Sequence, residues 1–378
     1  MDLGLSEEQE LLRNFARDFL EKECPESLVR EMEEDEKGYS PQLWKGMVDQ
    51  GWLGLIVPPE HGGSGMGFLD LVILTEEFGR ALVPGPFLST QSGGAIPLLD
   101  AGSEAQKKEH LPKIAAGEEI WTLAMTEPSA RFDAEGVQLE AKVDGDKLVL
   151  NGTKLFVRDA QVADYLLVAV RTKKGAAAED GITLVAVDAK SPGISYTALR
   201  TIGSDKQAEV KFENVAVPKA NVIGDIDKGW PLLNKLLLKA AALECAYLVG
   251  LAQMDFEITV NYAKERVQFG RPIGSFQAIQ HKCADMVTDV DGARFLMYKA
   301  AWSVAGDEPD AEQSVHMAKA WCNEATRRVV AHGQQIHGGI GFTKDYKIQL
   351  YFRRQKMADL MWGDADFHRE LVAQSLAL

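Results

Sequence analysis

The chain has 378 residues, enough to bury a large core and to divide into about two or three domains. Its apolar fraction of 46% and charged fraction of 26% are those of an ordinary soluble globular protein. A net charge of −15 argues against nucleic acid or an anionic membrane surface as the main partner.

The four cysteines, Cys24, Cys245, Cys283 and Cys322, form no CxxC pair and show no metal-ligand spacing. With no leader pattern at the start of the sequence, they are expected to be free thiols in a reducing, cytoplasmic compartment, and no metal is expected. No uninterrupted apolar run approaches the ~18 residues of a membrane span, so none is predicted.

Residues 1–120 read as helical. Ser6 and Gln9 make a capping box, and Leu11, Phe15 and Phe19 then share one helix face. A second helix starts near Pro41 and ends near Gly51. The segment from Gly51 to Gly65 is a tight apolar turn running into a glycine-rich loop. Its glycines lack the G-x-G-x-x-G spacing of a dinucleotide site, so the loop is read as structural.

Residues 121–230 change period. Val137, Leu139, Ala141 and Val143 alternate with polar residues, Asp144-Gly145 offers a hairpin turn, and Leu148 and Leu150 follow. Tyr165 to Val170, Ile182 to Val187 and Glu209 to Phe212 are further strands. No helix of βαβ length separates them, which excludes a doubly wound sheet. Residues 231–378 return to a helical period, with long helices predicted over Leu236–Arg266, Phe276–Ala305, Ala311–His332 and Gln349–Leu376. The predicted fold class is α+β: an N-terminal helical domain, a middle antiparallel β domain and a C-terminal four-helix bundle.

Between the first two bundle helices, Tyr262 to Gln280 reads as a helix end, a short turn and a new helix. Gly270 and Pro272 break the ladder and Ser275 stands where an N-cap would. Arg266 falls in the last helical turn, where the dipole favours a cation and a guanidinium is able to grip a phosphate bidentately. An ordinary helical hairpin with a surface arginine fits the same spacing.

This stretch is similar to the matching segment of the flavin-dependent acyl-CoA dehydrogenases, and the resemblance runs through nearly the whole chain. Arg266, Gln268, Phe269, Phe276 and Gln277 match positions that in the family reach the flavin diphosphate and ribityl region from a neighbouring subunit. Gln335-Ile336-His337-Gly338-Gly339-Ile340-Gly341 matches the family's Gln-x-x-Gly-Gly-x-Gly turn, whose glycines let backbone amides approach a diphosphate. His337 is read there as a spacer. Ala124 to Asp133 resembles the first family signature, which implies that Met125 and Thr126 edge the isoalloxazine. Asn151 to Arg158 resembles the strand that lays an aromatic face on the flavin, here Phe156, followed by Val157 and Arg158. The resemblance implies FAD as cofactor, an acyl-CoA substrate, an electron-transfer flavoprotein as partner, and a homotetramer or hetero-oligomer.

The chain departs from the family at the residues that carry the reaction. Arg131 and Phe132 replace two small residues beside the acyl-CoA. Arg158 replaces a threonine, either as a contact to the flavin or as a surface residue after a register shift. Proton removal from the α carbon needs a carboxylate in an apolar pocket. The usual position holds Trp362; the alternatives hold Ala240 and, on an earlier loop, Gln91. Glu244 lies one turn beyond Ala240 in an apolar run. It is the leading base by this reading, or else it is paired with a lysine or arginine elsewhere. Asp364 is the second candidate, or else a turn residue capping the last helix. The implied activity is α,β-desaturation of an acyl-CoA carrying a bulky, branched, cyclic or dicarboxylic group. The rival readings are a non-catalytic or half-site subunit of a mixed oligomer, and an enoyl-CoA reductase.

Overall fold

The computed structural model describes residues 4–175 and 177–377. The helices that precede the sheet are α1 (Glu7–Glu23), α2 (Glu26–Glu34), α3 (Pro41–Asp49), α4 (Phe68–Ala81), α5 (Phe87–Thr90), α6 (Ile96–Ala101) and α7 (Glu104–Ala115). The capping box on α1 forms, with Ser6 accepting from the Gln9 amide and the Gln9 side chain returning to Ser6. The expected apolar face of α1 is not its core face. Ala16 and Leu20 are buried, whereas Leu11 and Phe15 are 69% and 52% exposed. Small Ala16 lets the helix sit close to its neighbours, and periodicity by itself does not say which of two adjacent stripes packs.

The strands are β1 (Trp121–Ala124), β2 (Glu140–Asp144), β3 (Lys147–Arg158), β4 (Tyr165–Arg171), β5 (Ile182–Asp188), β6 (Ile194–Leu199), β7 (Gln207–Pro218) and β8 (Val222–Ile223). They form one sheet in the order β6-β7-β3-β2-β4-β5-β8, with β1 pairing β4. Most pairs are antiparallel, but β1 runs parallel to β4, and Glu140 of β2 pairs in parallel with Arg171. Strand β3 slips register between Leu150 and Gly152 and again between Lys154 and Val157.

The later helices are α8 (Trp230–Glu265), α9 (Gln277–Ala305), α10 (Ala311–His337), α11 (Ile348–Leu360) and α12 (Ala365–Ser375). A two-residue ladder, β9 (Val267–Gln268) with β10 (Arg271–Pro272), joins α8 to α9. The expected fourth bundle helix is two helices, because Trp362 and Gly363 both take positive φ, 60° and 106°. Ser275 is not the N-cap of α9. Its hydroxyl donates to the Pro272 carbonyl, and Phe276 occupies the cap without a side-chain bond. Helix α8 is long and apolar enough to cross a membrane by length and composition, yet 78% of its apolar window is buried inside the chain.

Packing divides the chain into two units, residues 4–30, 68–83 and 238–377 in the first, residues 31–67 and 84–237 in the second. In the first, α4 and α8 cross at glycines: a Cβ on Gly79 would lie 1.9 Å from the Tyr247 carbonyl oxygen, and one on Gly250 would lie 1.8 Å from that of Glu76. The two buried carboxylates of α4 are matched by arginines from α1 and α9, and an α4 arginine in turn pairs with a glutamate of α8. Arg17 grips Glu77 at 2.6 and 2.9 Å, Arg294 reaches Glu76 at 3.0 Å, and Arg80 of α4 itself pairs with Glu257. In the second unit the sheet is packed by apolar side chains of β4 and β5, whose inner residues are buried on both faces.

Candidate cofactor and substrate site

The helical unit carries both glycine- and arginine-bearing motifs, and one aromatic stack joins them. The Arg266 amide still donates to Tyr262 O at 2.8 Å, closing the last turn of α8. Phe269 and Gly270 both have positive φ, 54° and 79°, as a tight hairpin between β9 and β10 demands. Phe269 is 92% exposed and meets Phe276 edge-to-face at 6.0 Å, while the Arg271 guanidinium lies 4.1 Å from the Phe276 ring. Arg266, Gln268 and Gln277 are exposed. Among the described residues Arg266 makes no ion pair or side-chain hydrogen bond.

Helix α10 runs to His337, five residues past the expected end, so Gln334 and Gln335 are helical and Gly338 turns the chain with φ 61°. A Cβ on Gly338 or Gly339 would meet nothing, whereas one on Gly341 would strike Gln334 Oε1 at 2.5 Å. The first two glycines therefore present bare backbone to open space and the third is needed for packing. His337 is more than a spacer. Its ring stacks on Tyr262 with centroids 4.3 Å apart and planes 23° apart, and lies 5.1 Å from Tyr346. Its Nδ1 lies 2.8 Å from Gly333 O, an acceptor, so Nδ1 carries the proton. Burial pushes the imidazole pKa down, with the Gly333 bond opposing, which favours the neutral ring. Tyr262 is thus the shared footing of the two motifs: His337 stacks on its ring, and its carbonyl holds Arg266. Open glycine backbone and an uncommitted guanidinium on one footing fit a dinucleotide diphosphate.

The sheet unit carries the residues expected at the flavin edge and beside the acyl group. Met125 and Thr126 are buried at the exit of β1, and the Leu155 amide donates to Thr126 O at 2.8 Å. The Thr126 hydroxyl has no hydrogen-bond partner among the described residues. Phe156 sits in the β3 bulge with φ 56° and 47% exposure, a strained and outward-facing place for a large ring. Strand β3 slips register against β7 just before Arg158, yet Arg158 is not carried to the surface. Arg158 is half-buried at the end of β3, and its carbonyl accepts from the Thr122 hydroxyl at 2.6 Å. Arg131 is exposed and tied to its own loop, at 2.5 Å from Asp133 and 2.8 Å from Glu135. Phe132 is half-buried. Gln91 is fully buried in a turn of π-helix; its Nε2 donates to Leu53 O at 3.0 Å and its Oε1 has no partner.

The carboxylate candidates lie in the helical unit. Asp364 caps α12: its Oδ1 accepts from the Phe367 amide at 2.9 Å, and the residue is exposed. Glu244 is 1% exposed among the buried alanines of α8. It shares its surroundings with the buried Lys319 of α10, whose pKa burial lowers and the charge of Glu244 helps to hold up. Lys319 also donates to Asn323 Oδ1 at 2.7 Å and to the carbonyls of Asp359 and Gly363, each at 3.2 Å. It anchors the turn that presents Trp362. Sequence reasoning missed Lys319 and Asn323. Their one visible signal is a lysine and an asparagine, four apart, on the buried face of α10. Among the described residues no group of three or more His, Cys, Asp or Glu is placed to hold a metal.

The α–β–α order with this open glycine turn fits a flavin-binding oxidoreductase, and comparison with known proteins gives the family. The N-terminal, middle and C-terminal domain patterns of acyl-CoA dehydrogenase match residues 6–118, 122–215 and 227–377. The chain belongs to the acyl-CoA dehydrogenase family. It is 34% identical to a probable acyl-CoA dehydrogenase, YngJ, of Bacillus subtilis over 100% of both chains. It is also 34% identical to CarC, a subunit of the caffeyl-CoA reductase-Etf complex of Acetobacterium woodii, over 98% of each. The solved ChsE4-ChsE5 complex of Mycobacterium tuberculosis aligns with a TM-score of 0.91 and 28% identity, covering 100% of this chain and 99% of that one.

Proposed function

We propose that this chain binds FAD and acts on the Cα–Cβ bond of a CoA thioester with a bulky, branched, cyclic or dicarboxylic acyl group. The observation that carries this reading is the Tyr262–His337 stack, which puts Arg266 and the open glycine turn on one footing. Arg266 and the backbone of Gly338 and Gly339 hold the diphosphate, flanked by Gln268, Phe269, Phe276, Gln277 and Gln335. Thr126 offers its free hydroxyl to the pyrimidine edge beside Met125; Phe156 lays its ring on the flavin and Arg158 borders it. FAD supplies the hydride acceptor. Arg131 and Phe132 narrow the acyl end, so straight long-chain substrates fit poorly; Trp362 and Gln91 are the other two residues read as acyl-side, although Gln91 is wholly buried. The assembly is a homotetramer or hetero-oligomer in the cytoplasm, and its electron partner is an electron-transfer flavoprotein; the Etf complex of the CarC relative supports that partner.

In this reading Glu244 removes the α proton, with Asp364 as the second candidate. A specific observation favours the rival, a half-site subunit that borrows its base from an unlike chain. Glu244 lies in the field of Lys319, Asp364 is engaged as a cap, and Trp362, Ala240 and Gln91 cannot take a proton. The ChsE4-ChsE5 structure gives the kind of assembly this would be. The test is turnover of a panel of branched, cyclic and straight acyl-CoA esters by the FAD-loaded chain, alongside Glu244→Gln. If Glu244 is the base, the variant loses roughly 100-fold in turnover with unchanged flavin content. A wild-type chain that is yellow but inert on every ester, and active only with a second chain, establishes the half-site reading. Running the reaction from the enoyl-CoA side with a reduced donor tests the reductase direction.

A further inference from the structure

A buried charged network in the sheet unit plays no part in the reading above. Lys154 is wholly buried on β3, and its ammonium donates to Glu127 Oε1 at 2.6 Å and to Met125 O at 2.9 Å. The same Glu127 oxygen accepts from the amides of Gln138 and Leu139 at 2.8 and 2.9 Å. Arg171, buried at the end of β4, donates from Nε to Val137 O at 3.0 Å and from Nη2 to Ala134 O at 2.7 Å. Burial pushes the Lys154 pKa down to about 8, with the Glu127 carboxylate opposing.

These bonds fall on both sides of one loop. Met125 precedes the loop that carries Arg131 and Phe132, and Ala134 to Leu139 follow it. We propose that Lys154 and Glu127, with Arg171 beside them, are positioning residues that set the distance between the flavin-edge segment and the acyl-side loop. The proposal rests on the flavin reading of Met125 and Thr126 given above.

Buried ion pairs are often replaced by hydrophobic residues with no loss of stability, so their stability contribution does not explain them. What hydrophobic residues cannot do is satisfy irregular backbone. Neither end of this loop is in a strand, and its inward carbonyls and amides would be left without partners. One carboxylate oxygen collecting two amides and an ammonium, and one guanidinium bonded to the carbonyls of Ala134 and Val137 on one side and of Ala178 and Asp180 on the other, fix those groups in angle as well as distance.

The test uses the full chain reconstituted with FAD, in the variants Lys154→Met, Glu127→Gln and the double Glu127→Gln/Lys154→Met. The readouts are melting temperature, visible circular dichroism of the bound flavin, and the rate of trypsin cleavage after the exposed Arg131, followed by mass spectrometry. The single variants are expected to melt lower, because each leaves a buried charge unpaired. The double variant is expected to regain most of the melting temperature while keeping an altered flavin dichroism and being cut after Arg131 at least tenfold faster than wild type. A double variant with wild-type dichroism and cleavage rate overturns the proposal. So does a double variant that cannot fold, since the network is then a requirement of the fold. A wild-type chain that takes up no FAD refutes the flavin reading alone, and the cleavage rate then decides the clamp by itself.

Discussion

Asp255 lies on α8 with no exposed surface and, among the described residues, no hydrogen-bond partner for either carboxylate oxygen, wedged where a Cβ on Gly333 would lie 2.1 Å from Oδ1. Desolvation raises its pKa well above the ordinary value, and the nearby Thr259 hydroxyl relieves this only in part. In the unfolded chain the group titrates near ~3.9. Between that value and the raised folded one, the native state keeps a proton that the unfolded chain has released, so stability falls as pH rises through the window. Asp255→Asn removes that dependence. Its melting temperature is expected to gain on wild type as the pH rises above the unfolded value of about 4, and a difference that stays flat as pH rises refutes the assignment. Asp364 makes the opposite kind of contribution, from the surface. As the N-cap of α12 it contributes about 1 kcal/mol, so Asp364→Ala is expected to cost that much in a denaturant titration and Asp364→Asn almost nothing. Equal losses from both would mean that the charge matters and the cap does not.

Among the elements, the α4–α8 crossing tolerates change least. At Gly250 a methyl group would have to occupy space 1.8 Å from a carbonyl oxygen of the facing helix, and backbone cannot yield as a flexible side chain would. Gly250→Ala is expected to destabilise by at least ~3 kcal/mol or to prevent folding; a variant melting within a degree or two of wild type would show that the helices separate at little cost. The α8–α9 hairpin and the end of α10 form a second coupled pair. If Tyr262 and His337 hold the two motifs together by stacking, His337→Ala should weaken FAD binding several-fold, on the order of 1 kcal/mol, while His337→Phe retains it. Fluorescence titration of FAD into apoprotein measures both. Comparable losses in the two variants would point instead to the Nδ1 hydrogen bond with Gly333.

For the molecule as a whole, the exposed Phe269 and the outward-facing Arg266 hairpin are poorly suited to solvent and well suited to a second chain. The purified protein is expected to carry FAD in a multi-chain assembly, and light scattering coupled to size exclusion checks it. A flavin-loaded monomer would overturn the two-chain site. The same experiment on Arg266→Ala should show flavin lost and the fold kept, since no other described residue depends on that guanidinium.

The α–β–α order was legible because periodicity is local: a period of 3.6 or 2 is written in the residues that must face a core. The Arg266 and Gly338 motifs were legible only through their resemblance to the acyl-CoA dehydrogenases, because on spacing alone an ordinary helical hairpin with a surface arginine fits as well. Which stripe of α1 packs, and where the last bundle helix breaks, depended on what lies opposite. Leu11 and Phe15 are as apolar as any core residue, and only the neighbouring surface decides that Ala16 and Leu20 go inside. The base candidates show the same limit more sharply. A glutamate in an apolar run looks alike whether it faces a substrate or a lysine from another helix. Glu244 and Lys319 are far apart in sequence and share one buried environment only because α8 and α10 pack together, and a charge interaction acts through space, where sequence distance has no meaning.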